Sequence, residues 1–328
     1  MLAHLLSRRT ALLPRFLSTK ATPTSVFGDA CPLVITTAQL KRTPKLPASV
    51  SFLDASWHMP NAPRNARKEF VEKHIPGARF LDLDEVASPS ELGLKHMMPS
   101  PEVFAKACEG FGISPASHVV IYDTHGVFSS PRALFMFRAF GHNRSSILDG
   151  GLPAWEAHGC ETESGEPAPA PETAYPPPQL DAQIIKSYED MVANAALDPA
   201  SDPSAFSVLD ARSRGRFLGT DPEPRPGLSS GHIPHACSLP FTAFLQRNAA
   251  PGGTEYTSLR SSSAIIAELQ DALGAARAQE VLEGRRSVVA SCGSGMTAGV
   301  LWLGMQLAGW SSWTGYAMRE GSKIEKGQ

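Results

Sequence analysis

The sequence predicts an α/β protein built as two tandem domains, each a mainly parallel sheet flanked by helices. Three observations predict it: strand-like and helix-like segments alternate, one set of motifs occurs twice in the same order, and a proline-rich stretch separates the two sets. A chain of 328 residues suits two domains of ordinary size, each large enough for its own core.

The alternation is legible segment by segment. The β-branched runs "VSFLDA" (50–55), "HVVIYD" (118–123), "FSVLDA" (206–211) and "RSVVASC" (286–292) have the length and composition of strands. Between them, "RKEFVEKH" (67–74), "PEVFAKACEGFG" (101–112) and "SAIIAELQDALG" (263–274) carry helical apolar spacing. Strands separated by helices pair in parallel, and such sheets bind ligands beyond the carboxyl ends of their strands.

The duplication is equally direct. "SFLDASW" (51–57) matches "SVLDARS" (207–213), and "EKHIPGARFLDL" (72–83) matches "SGHIPHACSLPF" (230–241). "HVVIYDTHGVFSSPRALFMFRAFG" (118–141) matches "SVVASCGSGMTAGVLWLGMQLAG" (287–309). The spacing is close as well: Asp54 to His74 is 20 residues and Asp210 to His232 is 22. Between the copies, "GEPAPAPETAYPPPQLDAQ" (165–183) is too rich in proline for a helix or sheet interior and favours an extended connector. The expected domains are therefore 26–164 and 184–328, joined by the linker 165–183.

Composition removes several classes of function. The net charge of −2 offers no basic field for nucleic acid. Hydrophobic content of 42% and charged content of 19% are those of a globular chain, and no apolar run reaches membrane-spanning length. The five cysteines form neither a disulfide framework nor a CxxC pair, and the histidines show no metal-like spacing, so no metal is expected. At least one free thiol in a reducing compartment is the expectation. Residues 1–25 differ from the rest: Arg8, Arg9, Arg15 and Lys20 occur with hydroxyl residues and no acid before Asp29. That composition predicts a mitochondrial transit segment.

The chemistry centres on "ASCGSGMTAG" (290–299). Cys292 ends a strand, and a helix is expected from about Thr297 or Ala298, with Ala298, Leu301, Trp302 and Met305 on its buried face. Gly293 and Gly295 let the backbone curl and turn its N–H groups inward. Those donors, with the helix N-terminus and the hydroxyls of Ser294 and Thr297, would stabilise a thiolate and cradle a second sulfur on it. The same pattern also suits a buried thiol in a tight strand–helix turn, and residue pattern alone leaves both readings open. A cysteine phosphatase needs an arginine six residues after its nucleophile to clamp phosphate, and Ala298 stands there.

Taken together, "CGSGMTA", "FVEKHIPGARF" (70–80), "DARSRGRFLGTDPEPRPG" (210–227) and "SSILDGGLPAWEAHG" (145–159) resemble the 3-mercaptopyruvate sulfurtransferases of the rhodanese superfamily. The resemblance covers nearly the whole chain after the transit segment. It implies two rhodanese-like domains with the nucleophile in the second alone, since Asp123 lies opposite Cys292 in the first. It implies ping-pong sulfur transfer: Cys292 takes the sulfane sulfur of 3-mercaptopyruvate as a persulfide, pyruvate leaves, and a thiol such as thioredoxin or glutathione, or cyanide, accepts the sulfur. It implies no organic cofactor.

The resemblance also assigns roles. Arg216 and Arg225 match the two arginines that hold the substrate carboxylate and ketone, with Gly293, Gly295, Met296 and Thr297 around the substrate. Related thiosulfate sulfurtransferases carry a basic pair directly after the cysteine, where this chain has Gly293 and Ser294. Ser294 is expected as proton donor or relay. His74 is expected either as its partner across the domain cleft or as a structural anchor, because His232 recurs in the same motif of the second half. Asp54 and Asp210 recur similarly and are expected to organise strand ends. A thiosulfate sulfurtransferase and a non-catalytic sulfur carrier or interaction protein on the same fold are the alternatives.

One segment departs from the pattern. Trp155 follows Gly141 by 14 residues, whereas Trp313 follows Gly309 by four. The missing stretch corresponds to "SSILDG", so the C-terminal domain is expected to lack about one strand beside the Cys292 strand. Either the sequence carries a deletion or the chain is a variant with a weakened second domain.

Overall fold

The computed structural model describes residues 31–42, 49–91, 93–224, 230–250, 252–253, 255–310 and 316–317. The expected transit segment and Arg225 lie outside these residues.

In the first half the elements run β1 (Val34–Thr36), α1 (Thr37–Lys41), β2 (Val50–Asp54), α2 (Ala66–Glu72), β3 (Arg79–Phe80), α3 (Pro101–Gly110), β4 (His118–Tyr122), α4 (Ser130–Ala139), β5 (Ser145–Asp149) and α5 (Gly151–Ala157). In the second they run α6 (Tyr188–Ala195), β6 (Ser207–Asp210), α7 (Arg214–Leu218), β7 (Cys237–Ser238), β8 (Leu245–Ala249), β9 (Glu255–Leu259), α8 (Ser262–Leu273), α9 (Ala275–Leu282), β10 (Val288–Ser291), α10 (Ala298–Leu307) and β11 (Tyr316–Ala317). The four strands and three helices expected from pattern stand where their patterns lie. Serine hydroxyls start two of those helices: Ser100 accepts from the Val103 N–H before α3, and Ser261 from the Ala264 N–H before α8.

The duplication is visible in the sheets. The first is ordered β1-β5-β4-β2-β3 and the second β11-β10-β6-β7, with every pairing parallel. So β10 sits between β6 and β11 as β4 sits between β2 and β5. Where a strand was expected to be lacking, the place of β5 is held by the two residues of β11, which pair Ala290 with Tyr316 and Ser291 with Ala317. In the first half, β4 is flanked by three paired residues of β5, and β5 by three of β1.

The expectation of two separate cores is modified by the packing. α4 and α10 lie against each other, and one cluster of buried apolar residues runs through both halves. Phe135 and Trp302 meet edge to face at 5.4 Å across this seam. The expected one-sided burial of α10 also changes: every residue from Ala298 to Met305 is buried. A helix covered by its own sheet on one side and by α4 on the other has no solvent face to make polar.

The linker is extended, as its prolines require, and it is fastened to the first half. Tyr175 is buried with its hydroxyl 2.9 Å from His142 Nδ1, and its N–H donates to Glu109 Oε1. A feature the sequence pattern did not announce is the antiparallel hairpin of β8 and β9, which crosses the seam: the Thr257 N–H donates to the His125 carbonyl, and the Leu259 N–H to Asp149 Oδ1.

Candidate functional site

Strand β10 delivers Cys292 at its carboxyl end, between the sheet and the start of α10. The thiol is partly buried against the large apolar cluster, and the Gly295 N–H donates to its sulfur at 3.0 Å. Gly295 has φ +91°, a conformation that favours glycine and that turns its N–H back onto residue 292. Gly293 is exposed, Ser294 and Thr297 are half-buried, and Met296 is buried with 3% exposure beneath the loop. Three of the other cysteines lack such a setting: burial pushes the thiols of Cys108, Cys160 and Cys237 up, away from thiolate.

The first half shows the same device with a different occupant. Asp123 follows β4 as Cys292 follows β10, and its Oδ2 accepts from the N–H groups of Phe128, Ser129 and Ser130 and from the Ser130 hydroxyl. Its Oδ1 accepts from the His125 N–H at 2.9 Å. In both halves backbone donors ahead of a helix point at the residue that ends the strand: several converge on the Asp123 carboxylate, and the Gly295 N–H reaches the Cys292 sulfur.

Ser294 has a partner across the seam, and it is His96. The Ser294 hydroxyl lies 3.0 Å from His96 Nδ1, and His96 Nε2 lies 3.3 Å from Asp84 Oδ1. Asp84 Oδ2 in turn accepts from the Trp57 indole N–H at 3.1 Å, and Trp57 meets the His96 ring edge-on at 4.9 Å. A hydroxyl and an imidazole are thus in hydrogen-bond contact beside Cys292, with the Asp84 carboxylate at ion-pair distance from the far ring nitrogen and His96 3% exposed. This arrangement can pass a proton to a group bound over the loop.

His74 does not take that place, which corrects the expectation of a partner across the cleft. Its Nδ1 lies 2.7 Å from the Phe70 carbonyl, its Nε2 3.1 Å from Glu163 Oε1, and its ring stacks on Phe70. His232 repeats the arrangement, with Nδ1 2.8 Å from the Phe217 carbonyl and its ring stacked on Phe217. Both histidines tie a helix end to the following turn. His96 escaped the sequence reading because it lies in a loop outside the duplicated motifs; the only signal was a polar "KH" before the apolar "MMP" (95–99).

Among the basic residues, Arg212 is the best anchored. It donates to both oxygens of Asp210, to Glu223 Oε1 and to the Gly231 carbonyl. Burial opposes its charge, but Asp210 and Glu223 outweigh burial, so its pKa rises; the Cys292 sulfur contributes in the same direction. Arg216 pairs with the other oxygen of Glu223 at 2.5 Å. Glu223 therefore bridges the two arginines, and the segment carrying Arg216 lies in the charge environment of the cysteine loop through Arg212. Asp54 and Asp210 do organise strand ends: each accepts from the N–H two residues on, at Ser56 and Arg212.

A cavity of about 510 Å³ opens between the halves, with His58, His125, Phe128, Phe241, Arg247 and Tyr256 in its walls. Phe128 links it to the relay, because its ring stacks on Trp57. Among the described residues no group of three or more His, Cys, Asp or Glu side chains could hold a metal ion, and no helix is long and apolar enough to cross a membrane.

Comparison with known proteins supplies context for this geometry. A family model described as a rhodanese-like domain matches residues 46–158. Human 3-mercaptopyruvate sulfurtransferase is 40% identical over 274 residues, covering 83% of this chain and 84% of its own length. The mitochondrial thiosulfate/3-mercaptopyruvate sulfurtransferase 1 of Arabidopsis thaliana is 34% identical over 303 residues, covering 84% of this chain and 74% of its own. The solved structure of SseA from Escherichia coli, described as a 3-mercaptopyruvate sulfotransferase with the rhodanese fold, superposes with a TM-score of 0.67 at 26% identity, covering 89% of this chain and 99% of its own.

Proposed function

This chain belongs to the 3-mercaptopyruvate sulfurtransferases of the rhodanese family, enzymes that transfer sulfur-containing groups, and we propose that it works through a persulfide on Cys292. In the first half-reaction the Cys292 thiolate attacks the sulfur of 3-mercaptopyruvate. The carbon–sulfur bond breaks, its electron pair passes into the adjacent ketone as the enolate of pyruvate, and the sulfur stays on Cys292 as S–SH. The enolate takes a proton through Ser294, His96 and Asp84, and pyruvate leaves. In the second half-reaction an acceptor thiolate, such as that of thioredoxin or glutathione, attacks the outer sulfur and returns the Cys292 thiolate. Cyanide is an equivalent acceptor. No step needs a metal or an organic cofactor.

The observation that carries this reading is the Ser294–His96–Asp84 series beside a thiol whose sulfur already accepts a backbone N–H. A proton donor is what a carbon leaving group requires. The loop also offers Gly293 and Ser294 where a sulfonate-bearing donor such as thiosulfate would call for fixed cations. We assign the substrate carboxylate to Arg216 and Arg225, whose planar forks can each make two parallel bonds to it. For Arg216 that contact competes with Glu223. Residues 1–25 direct the chain to the mitochondrial matrix in this reading, supported by their composition and by the mitochondrial relative in Arabidopsis thaliana.

Intact mass spectrometry after incubation with 3-mercaptopyruvate tests the mechanism. The wild type should gain one sulfur atom and release pyruvate in equal amount, and Cys292→Ser should do neither. Persistence of the mass gain in Cys292→Ser would remove Cys292 from the reaction.

A further inference from the structure

The relay contains a conformational anomaly. His96 has φ +59°, and among the described residues the only other non-glycine residue with positive φ is His235. This left-handed conformation is uncommon in residues that bear a side chain, histidine being one of those that adopt it more readily, so the contacts that hold it here matter. Besides Ser294 on Nδ1, three residues of the first half contact His96. Asp84 and Trp57 act on the ring, while Arg132 acts on the backbone: its guanidinium NH2 donates to the His96 carbonyl at 2.8 Å.

Arg132 is itself held from both halves of the molecule. It is 1% exposed and sits in the first turn of α4, whose N-terminus is fixed by the Asp123 carboxylate through the Ser130 N–H. Its backbone presses on α10, the helix that leads out of the cysteine loop: a side-chain carbon at Gly299 would come within 2.9 Å of the Arg132 nitrogen. Glycine at 299 is what lets the two helices approach so closely. The guanidinium that grips His96 is therefore carried on the same seam that sets the position of Ser294.

We propose that Arg132 is a positioning residue for sulfur transfer, holding the His96 carbonyl so that the imidazole stays aimed at Ser294 across the seam between the halves. The proposal rests on the reading of Ser294, His96 and Asp84 as the path of the proton to the departing carbon. Arg132 touches neither substrate nor sulfur. Its effect is to keep the hydroxyl–imidazole contact formed before substrate arrives, so that no turnover waits for the loop to find it. A lysine preserves the charge but replaces a planar fork by a single mobile ammonium and should not fix the carbonyl equally well.

The experiment uses the full chain and two reactions of the same thiol. Single-turnover release of pyruvate from 3-mercaptopyruvate needs the proton path. Alkylation of Cys292 by iodoacetamide needs the same thiolate, but it expels iodide and requires no proton. Arg132→Lys should slow pyruvate release about tenfold, with its half-saturating substrate concentration unchanged and the alkylation rate intact. Arg132→Met should behave alike if it folds, and the alkylation rate reports folding of the loop in each variant. His96→Gln should show a larger loss with the same selectivity, and adding Arg132→Lys to it should cost nothing more. Equal loss in both reactions would make Arg132 merely structural and overturn the proposal, as would full pyruvate release in Arg132→Lys. If His96→Gln and Ser294→Ala both leave pyruvate release untouched, the relay reading itself fails, and the proposal falls with it. If they slow it and Arg132→Lys does not, only the proposal falls.

Discussion

Asp123 and Cys292 are the same position of a duplicated fold, filled by a carboxylate in one half and a thiol in the other. Each follows the strand at the centre of its half, β4 or β10, and each accepts backbone N–H groups from the loop that opens the next helix. The donors at Asp123 outnumber those at Cys292: three backbone N–H groups and a hydroxyl converge on one oxygen alone. The first cradle is closed and permanent, whereas the second leaves its sulfur half open for a partner. At this position one half carries a fixed carboxylate and the other the reactive thiol.

The closed cradle makes Asp123 a stability determinant. Asp123→Ala strands those donors in a site with no exposure, and losing a buried anion that several donors share costs on the order of 3 kcal/mol or more. Urea denaturation should show this loss. A variant within about 0.5 kcal/mol of the wild type, the range of ordinary surface changes, would mean that the donors find other partners.

His96 and His74 should separate cleanly. His96→Gln should lower kcat for 3-mercaptopyruvate by about a hundredfold, the lower range for loss of a positioned proton donor, while leaving the melting temperature nearly unchanged. His74→Gln should do the reverse. It breaks a buried tie between the Phe70 carbonyl and Glu163, so it should cost about 1–3 kcal/mol of stability with kcat preserved below the melting transition. Steady-state kinetics and thermal melts on the two variants check both halves of this statement; a loss of kcat in His74→Gln alone would restore the sequence-based assignment.

The contrast between those histidines shows where sequence was informative. Strands such as "HVVIYD" and "RSVVASC" were legible because parallel strands buried on both faces read as short β-branched runs. Cys292 was a candidate from its place in a glycine-rich turn between a strand and a helix, and the resemblance of "CGSGMTA" to the family's loop decided between a nucleophile and a structural thiol. His74 attracted attention because its motif occurs twice, yet repetition marks what the fold needs in each copy, here the stacking of His74 on Phe70 and of His232 on Phe217. His96 occurs once, in an irregular loop, and it acquires meaning only when the seam brings residues 198 positions apart into contact. The hairpin of β8 and β9 was missed for a related reason. Its role is to join the halves at Thr257 and Leu259, and no local periodicity encodes such a contact.

Asp54 predicts a pH dependence of stability. Complete burial pushes its carboxyl up to about 7, with the Ser56 contacts opposing and the Asp123 charge adding to the rise. The unfolded chain ionises near pH 4, so between pH 4 and 7 the native state binds one more proton than the unfolded state. Stability contributed by this group is then complete below pH 4, falls as pH rises, and levels off above 7. The total is on the order of 3–4 kcal/mol. His142, pushed down to about 4 chiefly by burial, works in the opposite sense over much of the same range. The difference between wild type and Asp54→Asn isolates the first effect. Urea midpoints at pH 5 and pH 8 should fall less in the variant than in the wild type, and parallel falls would show that Asp54 is ionised throughout.

The edge beside Cys292 is the last place where sequence and structure bear on each other. In the first half, β5 pairs with β4 on one side and β1 on the other, so the strand before Asp123 is interior to a five-stranded sheet. In the second, only Ala290 and Ser291 of β10 pair with β11, and Val288 and Val289 rely on β6 for strand pairing among the described residues. All four β10 residues are buried, so backbone groups left without a ladder on that side carry a desolvation cost. Replacing the short connection after Gly309 by a segment patterned on residues 142–151 of the first half should extend the ladder along β10. A gain of about 2 kcal/mol, two further hydrogen bonds at roughly 1 kcal/mol each, should appear as a higher urea midpoint. The rate of pyruvate release should rise with it, because the same ladder holds the strand that presents Cys292. Unchanged stability and turnover in the extended chain would show that the two residues of β11 already complete the edge.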